Sequence, residues 1–288
     1  MASTGWGGRV ADLVQPLNSG ALFPAVTATA GCSPFCTGQQ TFPSTVPVGG
    51  ESLLTGTANS MARFNGVQQL LTFDNGLQLV QAANENFSRG VGYSNTLSAL
   101  LANAKINTAF PAGNPLAAQL QSVARMMSIW NQLGMSRQIF FCQLGGFDAH
   151  GGQLPVQDNL LQQLSQAVMA FDQATQELSV DHQVVTFTAS EFGRTLTPNG
   201  NLGTDHAWGS HHFVIGGGVA GGKFYGQFPL LALGGQYDAN NRGTLIPTTS
   251  VGQYAATVAQ WFGVGPASLA TIFPNIGNFQ SSNLGFLG

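Results

Sequence analysis

Charged side chains are scarce in this sequence. Nine Lys and Arg stand against twelve Asp and Glu, and charged residues make up 7% of the 288-residue chain, whereas an average soluble protein has about a quarter. With a formal net charge of -3, the chain has no basic stripe to neutralise phosphates, which argues against a nucleic-acid partner and against anchoring on an anionic membrane. A hydrophobic content of 43% is too high for a disordered chain, so we expect a globular protein.

Long apolar runs are lacking as well. No stretch reaches the roughly 18 residues that a membrane-spanning helix needs, so we expect no membrane span. The first residues do not combine a basic start with an apolar stretch, so they do not predict a signal peptide. The low charge and the many amide and hydroxyl side chains favour a periplasmic or secreted protein whose leader is absent from this chain, with a cytoplasmic location as the alternative.

Cysteine is also rare, with three in the whole chain. Cys32 and Cys36 lie in a turn-rich loop and predict either a short-range disulfide or two free thiols. Cys142 lies in a strand-like apolar run and is expected to act as a small buried hydrophobic residue. No cysteine pair has zinc-finger spacing with a matching histidine pair.

The apolar periodicity predicts an α/β protein, mainly a parallel sheet flanked by helices. A Gly/Pro/Ser/Thr-rich start over 1–60 is expected to be irregular with a few short strands, and one α/β domain is expected over 1–288, with its core at 137–264. Helical spacing predicts helices within 62–86, 95–134, 155–179 and 251–262. Strands are expected at 137–144, 183–189 and 212–216, arranged as parallel βαβ units with functional residues at their carboxyl ends.

Unusual polar groups flank each of the three predicted strands. The segments are 145–152, 190–194 and 204–212, and they hold four of the five histidines. Asp148 and His150 are two residues apart, so in an extended segment both side chains point to one side. A carboxylate oxygen with an imidazole nitrogen suits Zn²⁺, Mn²⁺ or Fe. The alternative is that His150 caps the following helix while Asp148 hydrogen-bonds the loop.

The other two segments leave more than one interpretation open. Glu191 ends an apolar strand, where it either binds a metal or forms an ion pair with Arg194, and Arg194 could instead clamp an anionic group. Because adjacent side chains on extended backbone diverge, one metal is expected to take either Asp205 or His206, leaving the other for an outer layer or a second metal. The neighbours His211 and His212 diverge in the same way, so one is expected to be structural. His182 lies apart from any acidic cluster and is read as a surface histidine.

These motifs resemble the bacterial family catalogued as domain of unknown function 1501. The resemblance is carried by 146–153, 190–195, 203–222 and 242–250, in motif order. That family in turn resembles the alkaline phosphatase and sulfatase superfamily, which implies a parallel α/β sheet with a metal centre at its carboxyl edge and, in many members, a twin-arginine export leader.

The resemblance also implies a ligand set. One metal would be held by Asp148, His150 and His206, and a second by Glu191. Phe192 stands where phosphatases often have a histidine, which weakens the second site unless Asp205 substitutes. The superfamily's first core strand and its nucleophile belong to a further N-terminal stretch that this chain lacks, so no nucleophile is assigned and the fold is expected without its first strand.

The function expected from this resemblance is metal-dependent hydrolysis of phosphate, phosphonate or sulfate esters, by metal-activated water or an unassigned nucleophile. Zinc is the expected metal, with Mn, Fe and Ca as alternatives, and the expected partner is a small anionic ester. The oligomeric state is left open. Two further functions stay open: a secreted non-enzymatic surface or binding protein with a structural or vestigial metal site, and a metal-dependent carboxyl-ester or lactone hydrolase. The expected catalytic residues are Glu191, Arg194, Asp205, His211 and His212.

Overall fold

A computed structural model describes residues 4–20, 23–48, 60–74 and 76–288. The chain divides into two compact units, one formed by Met1–Ile106 with Ala118–Gln143, and the other by Asn107–Ala117 with Leu144–Gly288. Each unit has its own secondary structure. The prediction of one domain over 1–288 stays a prediction.

The first unit contains a small parallel sheet. Its three strands are β1 (Val26–Ala28), β2 (Ser44–Thr45) and β3 (Ile139–Phe141), in the order β2-β1-β3. Both pairings are parallel, and the central strand β1 is buried along its whole length. The expected mixed α/β class with a parallel sheet is therefore confirmed in this coarse form.

The helices of the first unit follow the predicted periodicity in most places. Its helices are α1 (Trp6–Val14), α2 (Met61–Leu71), α3 (Gln78–Leu101), most of α4 (Pro115–Ser128) and α5 (Trp130–Leu133). The break between α2 and α3 falls around Gly76, as the sequence indicates. The helix α1 was not predicted within 1–60. Its apolar residues Val10 and Val14 are spaced by one turn and buried, which stabilises a helix that its glycines disfavour.

The second unit combines one long helix with shorter ones and very short strands. It contains α6 (Gln153–Glu177), β4 (Thr186–Phe187), β5 (Gly193–Arg194), β6 (His206–Ala207), β7 (Val214–Ile215), α7 (Val251–Trp261) and α8 (Leu269–Ile272). Its strands form two antiparallel pairs, β4 with β7 and β5 with β6.

These pairings correct the predicted topology. The runs 183–189 and 212–216 contain β4 and β7, which are antiparallel, with Thr186 opposite Ile215, and the run 137–144 contains β3, which pairs with β1. An apolar run predicts a buried strand but does not encode its partner or direction. At the end of β7 the backbone comes so close to the start of β4 that a Cβ at Gly216 would lie 2.3 Å from the Val184 carbonyl oxygen, and only glycine fits there.

The cysteines take one of the two arrangements that the sequence left open. Cys32 and Cys36 are joined by a disulfide, with Cα atoms 6.3 Å apart. Cys142 is a free, partly buried thiol, and burial raises its pKa to about 11. Its role as a small apolar residue in a strand-like run fits this environment. Among the described residues, no helix is both long and apolar enough to cross a membrane.

Candidate metal centre

Three side chains from two of the predicted segments meet at one point of the second unit. Asp148 and His150 lie just before α6, and His206 begins β6. The Nε2 atom of His150 lies 2.9 Å from Oδ1 of Asp148, and Nε2 of His206 lies 3.0 Å from the same oxygen. The two Nε2 atoms are 3.0 Å apart. Donor atoms this close, two imidazole nitrogens and one carboxylate oxygen, form a set that can hold one divalent cation.

The two segments are held together by backbone contacts. The Thr204 amide donates to the Ala149 carbonyl at 3.2 Å, and the Gln153 amide donates to the Leu202 carbonyl at 2.9 Å. Between these bonds Gly203 packs directly on His150, where a Cβ would lie 2.2 Å from the His150 carbonyl carbon. A glycine at this position therefore lets the loop before β6 approach closely enough to bring His206 to the other two donors.

Arg194 is a largely buried cation that contacts the donor group through Asp148. Its guanidinium pairs with Oδ1 of Asp148, and its Nε donates to Thr204 Oγ1 at 3.0 Å while a second nitrogen donates to the Thr204 carbonyl. The Arg194 side chain is 15% exposed, whereas the Asp148 side chain is 51% exposed. The predicted Glu191–Arg194 ion pair is therefore replaced by an Asp148–Arg194 pair.

A second layer of polar side chains surrounds His150. The Nδ1 atom of His150 lies 3.4 Å from Oδ1 of Asp205. Arg242 donates to the other oxygen of Asp205 at 2.6 Å. Asn199 donates to the His150 carbonyl at 3.0 Å and to Oδ1 of Asp205 at 3.3 Å. A carboxylate beside one ring nitrogen of a histidine fixes the ring and its tautomer, and Asp205 has this position beside Nδ1 of His150.

The electrostatics of the two carboxylates follow from these contacts. Partial desolvation raises the pKa of Asp148, but the Arg194 hydrogen bond and the two imidazoles outweigh it and hold that pKa below its usual value. The Arg242 hydrogen bond, helped by Asn199, likewise lowers the pKa of Asp205. Both carboxylates are therefore ionised at neutral pH, which is the form that binds a cation.

The aromatic ring of Phe192 covers one face of His206. The two rings are stacked, with centroids 4.0 Å apart and planes 8° apart. At the position where the resemblance implied a histidine, Phe192 therefore packs against the donor residue His206 and is not a donor itself.

The remaining predicted site residues lie outside the donor group. Glu191 is exposed, and among the described residues it is not part of a cluster that could hold a metal. His211 stacks on Phe228 at 4.8 Å between ring centroids. His212 stacks on Tyr254, and burial, followed by the charge of His211, lowers its pKa, so a protonated His212 is disfavoured at neutral pH. His182 is 77% exposed beside Asp181.

The helix-capping alternative for His150 is wrong, because α6 begins after Gly152 with no side-chain cap.

Sequence reasoning missed three supporting residues, Asn199, Thr204 and Arg242. Asn199 and Thr204 contact the segment around His150, about 50 positions earlier in the chain, and no local pattern in the sequence encodes such contacts. Arg242 carried one signal, because it is one of only nine Lys and Arg residues in the chain and begins the 242–250 segment that carries the family resemblance.

Comparison with known proteins finds one matching family but no individual protein of known function or structure. No curated protein and no solved structure matches it. The family described as "Protein of unknown function (DUF1501)" matches residues 3–262, a range that includes the donor residues and the outer layer around them. The chain therefore belongs to the DUF1501 family.

Proposed function

We propose that this protein is a metal-dependent hydrolase of phosphate, phosphonate or sulfate esters. The observation that supports the proposal best is the convergence of Asp148, His150 and His206, whose donor atoms lie 2.9–3.0 Å apart. The resemblance of the motifs to the alkaline phosphatase and sulfatase superfamily supports the same reaction class. Zinc is the metal that we propose, because the donor set combines two imidazoles with one carboxylate.

The exposure of the donors favours catalysis over a purely structural role. Structural zinc sites are closed by four protein ligands, whereas catalytic sites keep a position open. Here there are three donor side chains, and each is about half exposed, at 51%, 49% and 52% for Asp148, His150 and His206. Water and a small ester can therefore reach the donor atoms.

Each residue has a proposed part in the reaction. A divalent cation held by the three donors would polarise an ester oxygen and lower the pKa of a bound water. Arg194 lies against Asp148 and places a fixed positive charge where negative charge develops on the ester. Asp205 contacts Nδ1 of His150 and directs the lone pair of Nε2 toward the donor group.

The test is a metal and substrate analysis of the purified protein. After chelation, the protein is reloaded with Zn²⁺, Mn²⁺ or Fe²⁺ and assayed on an aryl phosphate, a phosphodiester, an aryl phosphonate ester, an aryl sulfate and a carboxyl ester. We expect one bound metal per chain and metal-dependent hydrolysis of at least one phosphorus or sulfur ester, both lost in Asp148→Ala. Asp181→Asn, which alters an acid–histidine pair away from the donors, serves as the control.

The outcomes separate the alternatives. A metal-loaded protein that hydrolyses none of these esters would overturn the proposal in favour of a non-enzymatic binding protein. Hydrolysis of the carboxyl ester alone would assign the third function instead.

We also propose a periplasmic or secreted location. The Cys32–Cys36 disulfide supports it, because such bonds persist in oxidising compartments. Thiol counting on protein extracted under alkylating conditions from the native cells would find one free thiol per chain if the proposal holds and three if it fails.

A further inference from the structure

One edge of the Arg194 guanidinium is held by a single residue, Thr204. The Nε atom of Arg194 donates to Thr204 Oγ1 at 3.0 Å, and the neighbouring terminal nitrogen donates to the Thr204 carbonyl. The other terminal nitrogen donates to Oδ1 of Asp148. A guanidinium has five N–H donors. Within the described part of the chain, three of them are used, and one N–H remains on each terminal nitrogen.

The two remaining N–H groups of Arg194 suit an oxyanion. They lie on different nitrogens of one rigid plane, and such a fork can bind two oxygens of a phosphate or phosphonate group. Because one of these nitrogens already contacts Asp148, the fork lies beside the donor group. The orientation of the guanidinium therefore determines how an anion bound there can be reached, and Thr204 fixes that orientation.

The hydroxyl of Thr204 depends in turn on a side chain of α6. A guanidinium cannot accept a hydrogen bond, so Thr204 Oγ1 accepts from Arg194 and its single proton needs another acceptor. That acceptor is Oε1 of Gln153, 2.5 Å away. Gln153 is the first residue of α6, and its amide nitrogen donates to Oε1 of Gln157 at 3.0 Å.

These contacts form a relay with one direction, in which Arg194 donates to Thr204, Thr204 to Gln153 and Gln153 to Gln157. All four side chains are partly buried. A partly buried donor that loses its acceptor costs more than an exposed one, because water replaces the lost hydrogen bond less completely. The start of α6 is thereby connected to the cation beside the donor group.

We infer that Thr204 and Gln153 are positioning residues for anion binding at the donor group. Gln153 orients the Thr204 hydroxyl, and Thr204 holds Arg194 with two N–H groups available to the ligand. The ligand is an ester whose charged head group keeps two unesterified oxygens, as phosphate, phosphonate and sulfate esters do and carboxyl esters do not. This inference rests on the proposed function, because it assigns the substrate class of the same site.

The first measurement needs neither metal nor ligand. The Nε–H signal of Arg194 is recorded by proton–nitrogen NMR on the metal-free protein and assigned by its absence in Arg194→Lys. Because this proton is bonded to Thr204, its exchange with water should be slow. We expect Thr204→Val to accelerate the exchange by about tenfold or more, and Thr204→Ser, which keeps the hydroxyl, to leave it slow.

The second measurement is the affinity for an anion that is not hydrolysed. Phenylphosphonate is titrated into the zinc-loaded protein by isothermal titration calorimetry. Thr204→Val should weaken its binding about tenfold, and Gln153→Met roughly three- to fivefold, because a misplaced guanidinium loses part of a charge-assisted contact. Thr204→Ser should bind nearly as tightly as wild type. Zinc affinity, measured by chelator competition, should remain that of wild type, because no donor atom is changed.

Gln176→Met is the matched control. Gln176 also lies in α6, near its other end, and donates to Asp172 four positions away at 2.8 Å. The control removes a hydrogen bond of the same kind from the same helix, so it should change neither the phosphonate affinity nor the exchange of the Arg194 proton.

Four results would overturn the inference: slow exchange that persists in Thr204→Val, phenylphosphonate affinity unchanged in both Thr204→Val and Gln153→Met, an equal loss of affinity in Thr204→Ser, or no phosphonate binding by wild type. A parallel loss of zinc affinity would also overturn it, because the relay would then be purely structural. If Thr204→Val does not fold, Gln153→Met decides by both measurements. The proposed function fails separately: a protein that hydrolyses no ester but binds phenylphosphonate through the relay keeps the anion site and is not a hydrolase.

Discussion

The Nδ1 atom of His150 lies 3.4 Å from Oδ1 of Asp205, on the side of the imidazole away from Asp148. The other oxygen of Asp205 accepts a hydrogen bond from Arg242 at 2.6 Å. The histidine is thus held between two carboxylates, one in the donor group and one behind it. This arrangement determines which ring nitrogen can bind a cation.

The first prediction concerns this outer carboxylate. Asp205→Asn should weaken zinc binding about 10- to 100-fold, because the ring of His150 loses the charge that orients it and raises its basicity. Competition with a chromogenic chelator measures the affinity. Asp181→Asn changes an acid–histidine contact outside the donor group, also 3.4 Å long, and should have no effect. Equal zinc affinity in Asp205→Asn and wild type would remove Asp205 from the site.

The second prediction compares two donors. His206→Ala and Asp148→Ala should each reduce bound zinc to a small fraction of one per chain, measured by elemental analysis after dialysis. Asp148→Ala should also lower the melting temperature more than His206→Ala does, because Arg194, at 15% exposure, would lose the carboxylate that balances its charge. If the zinc content stays at one per chain in both variants, the metal lies elsewhere.

The third prediction concerns the close approach of Gly203 to His150. Gly203→Ala should destabilise the protein by about 1–3 kcal/mol and weaken zinc binding, because the new Cβ would lie 2.2 Å from the His150 carbonyl carbon and push the two segments apart. Urea unfolding and the chelator competition measure the two effects. Gly200→Ala is the matched control in the same loop, since a Cβ at that position has nothing within 4 Å. Equal stability of Gly203→Ala and Gly200→Ala would contradict the prediction.

The fourth prediction is a pH dependence away from the site. Glu177, at the end of α6, accepts hydrogen bonds from Thr108 Oγ1 at 2.6 Å and from the amides of Asn107 and Thr108 at 2.7 and 2.8 Å. These bonds, led by the Thr108 hydroxyl, lower the pKa of Glu177 from 4.5 to about 2. A carboxyl group whose pKa is lowered by folding stabilises the protein above its unfolded pKa and loses that contribution as the pH falls toward the folded value.

Glu177→Gln should therefore lower the melting temperature by a few degrees at neutral pH, and this deficit should shrink between about pH 4.5 and about pH 2. Thermal unfolding at a series of pH values measures it. Asp158→Asn, an exposed acid near the other end of α6, should give no comparable deficit. A deficit that is constant across this pH range would show that the charge of Glu177 is not what stabilises the contact.

The sequence predicted the donor group better than it predicted the topology. Asp148 and His150 could be paired because alternation along an extended segment is a local property, and His206 was implied by the family resemblance. The antiparallel pairing of β4 with β7 depends on which strands meet, and neither apolar run carries that information. Helices α2 and α3 separate where a glycine interrupts the periodicity, while α1 forms against the preference of its own glycines because Val10 and Val14 are buried.

For a related reason, the sequence alone could not distinguish between the possible roles of Glu191 and Arg194. Their spacing allowed an ion pair between neighbours, but Arg194 pairs with Asp148, 46 positions away. A long-range partner of this kind becomes available only when Gly203 has brought the two segments together. The outer layer formed by Asn199 and Arg242 depends on the same approach.

Asp148 and His206 are separated by 58 positions, and the whole of α6 lies between them. In an unfolded chain these two donors would rarely be close enough to share an ion, whereas Asp148 and His150 would always be neighbours. If the proposed centre binds zinc, uptake at full strength would therefore report whether the 148–206 segment has reached its native arrangement. Weak binding by the local pair alone would mark molecules in which the loop before β6 has not yet reached the segment that carries Asp148 and His150.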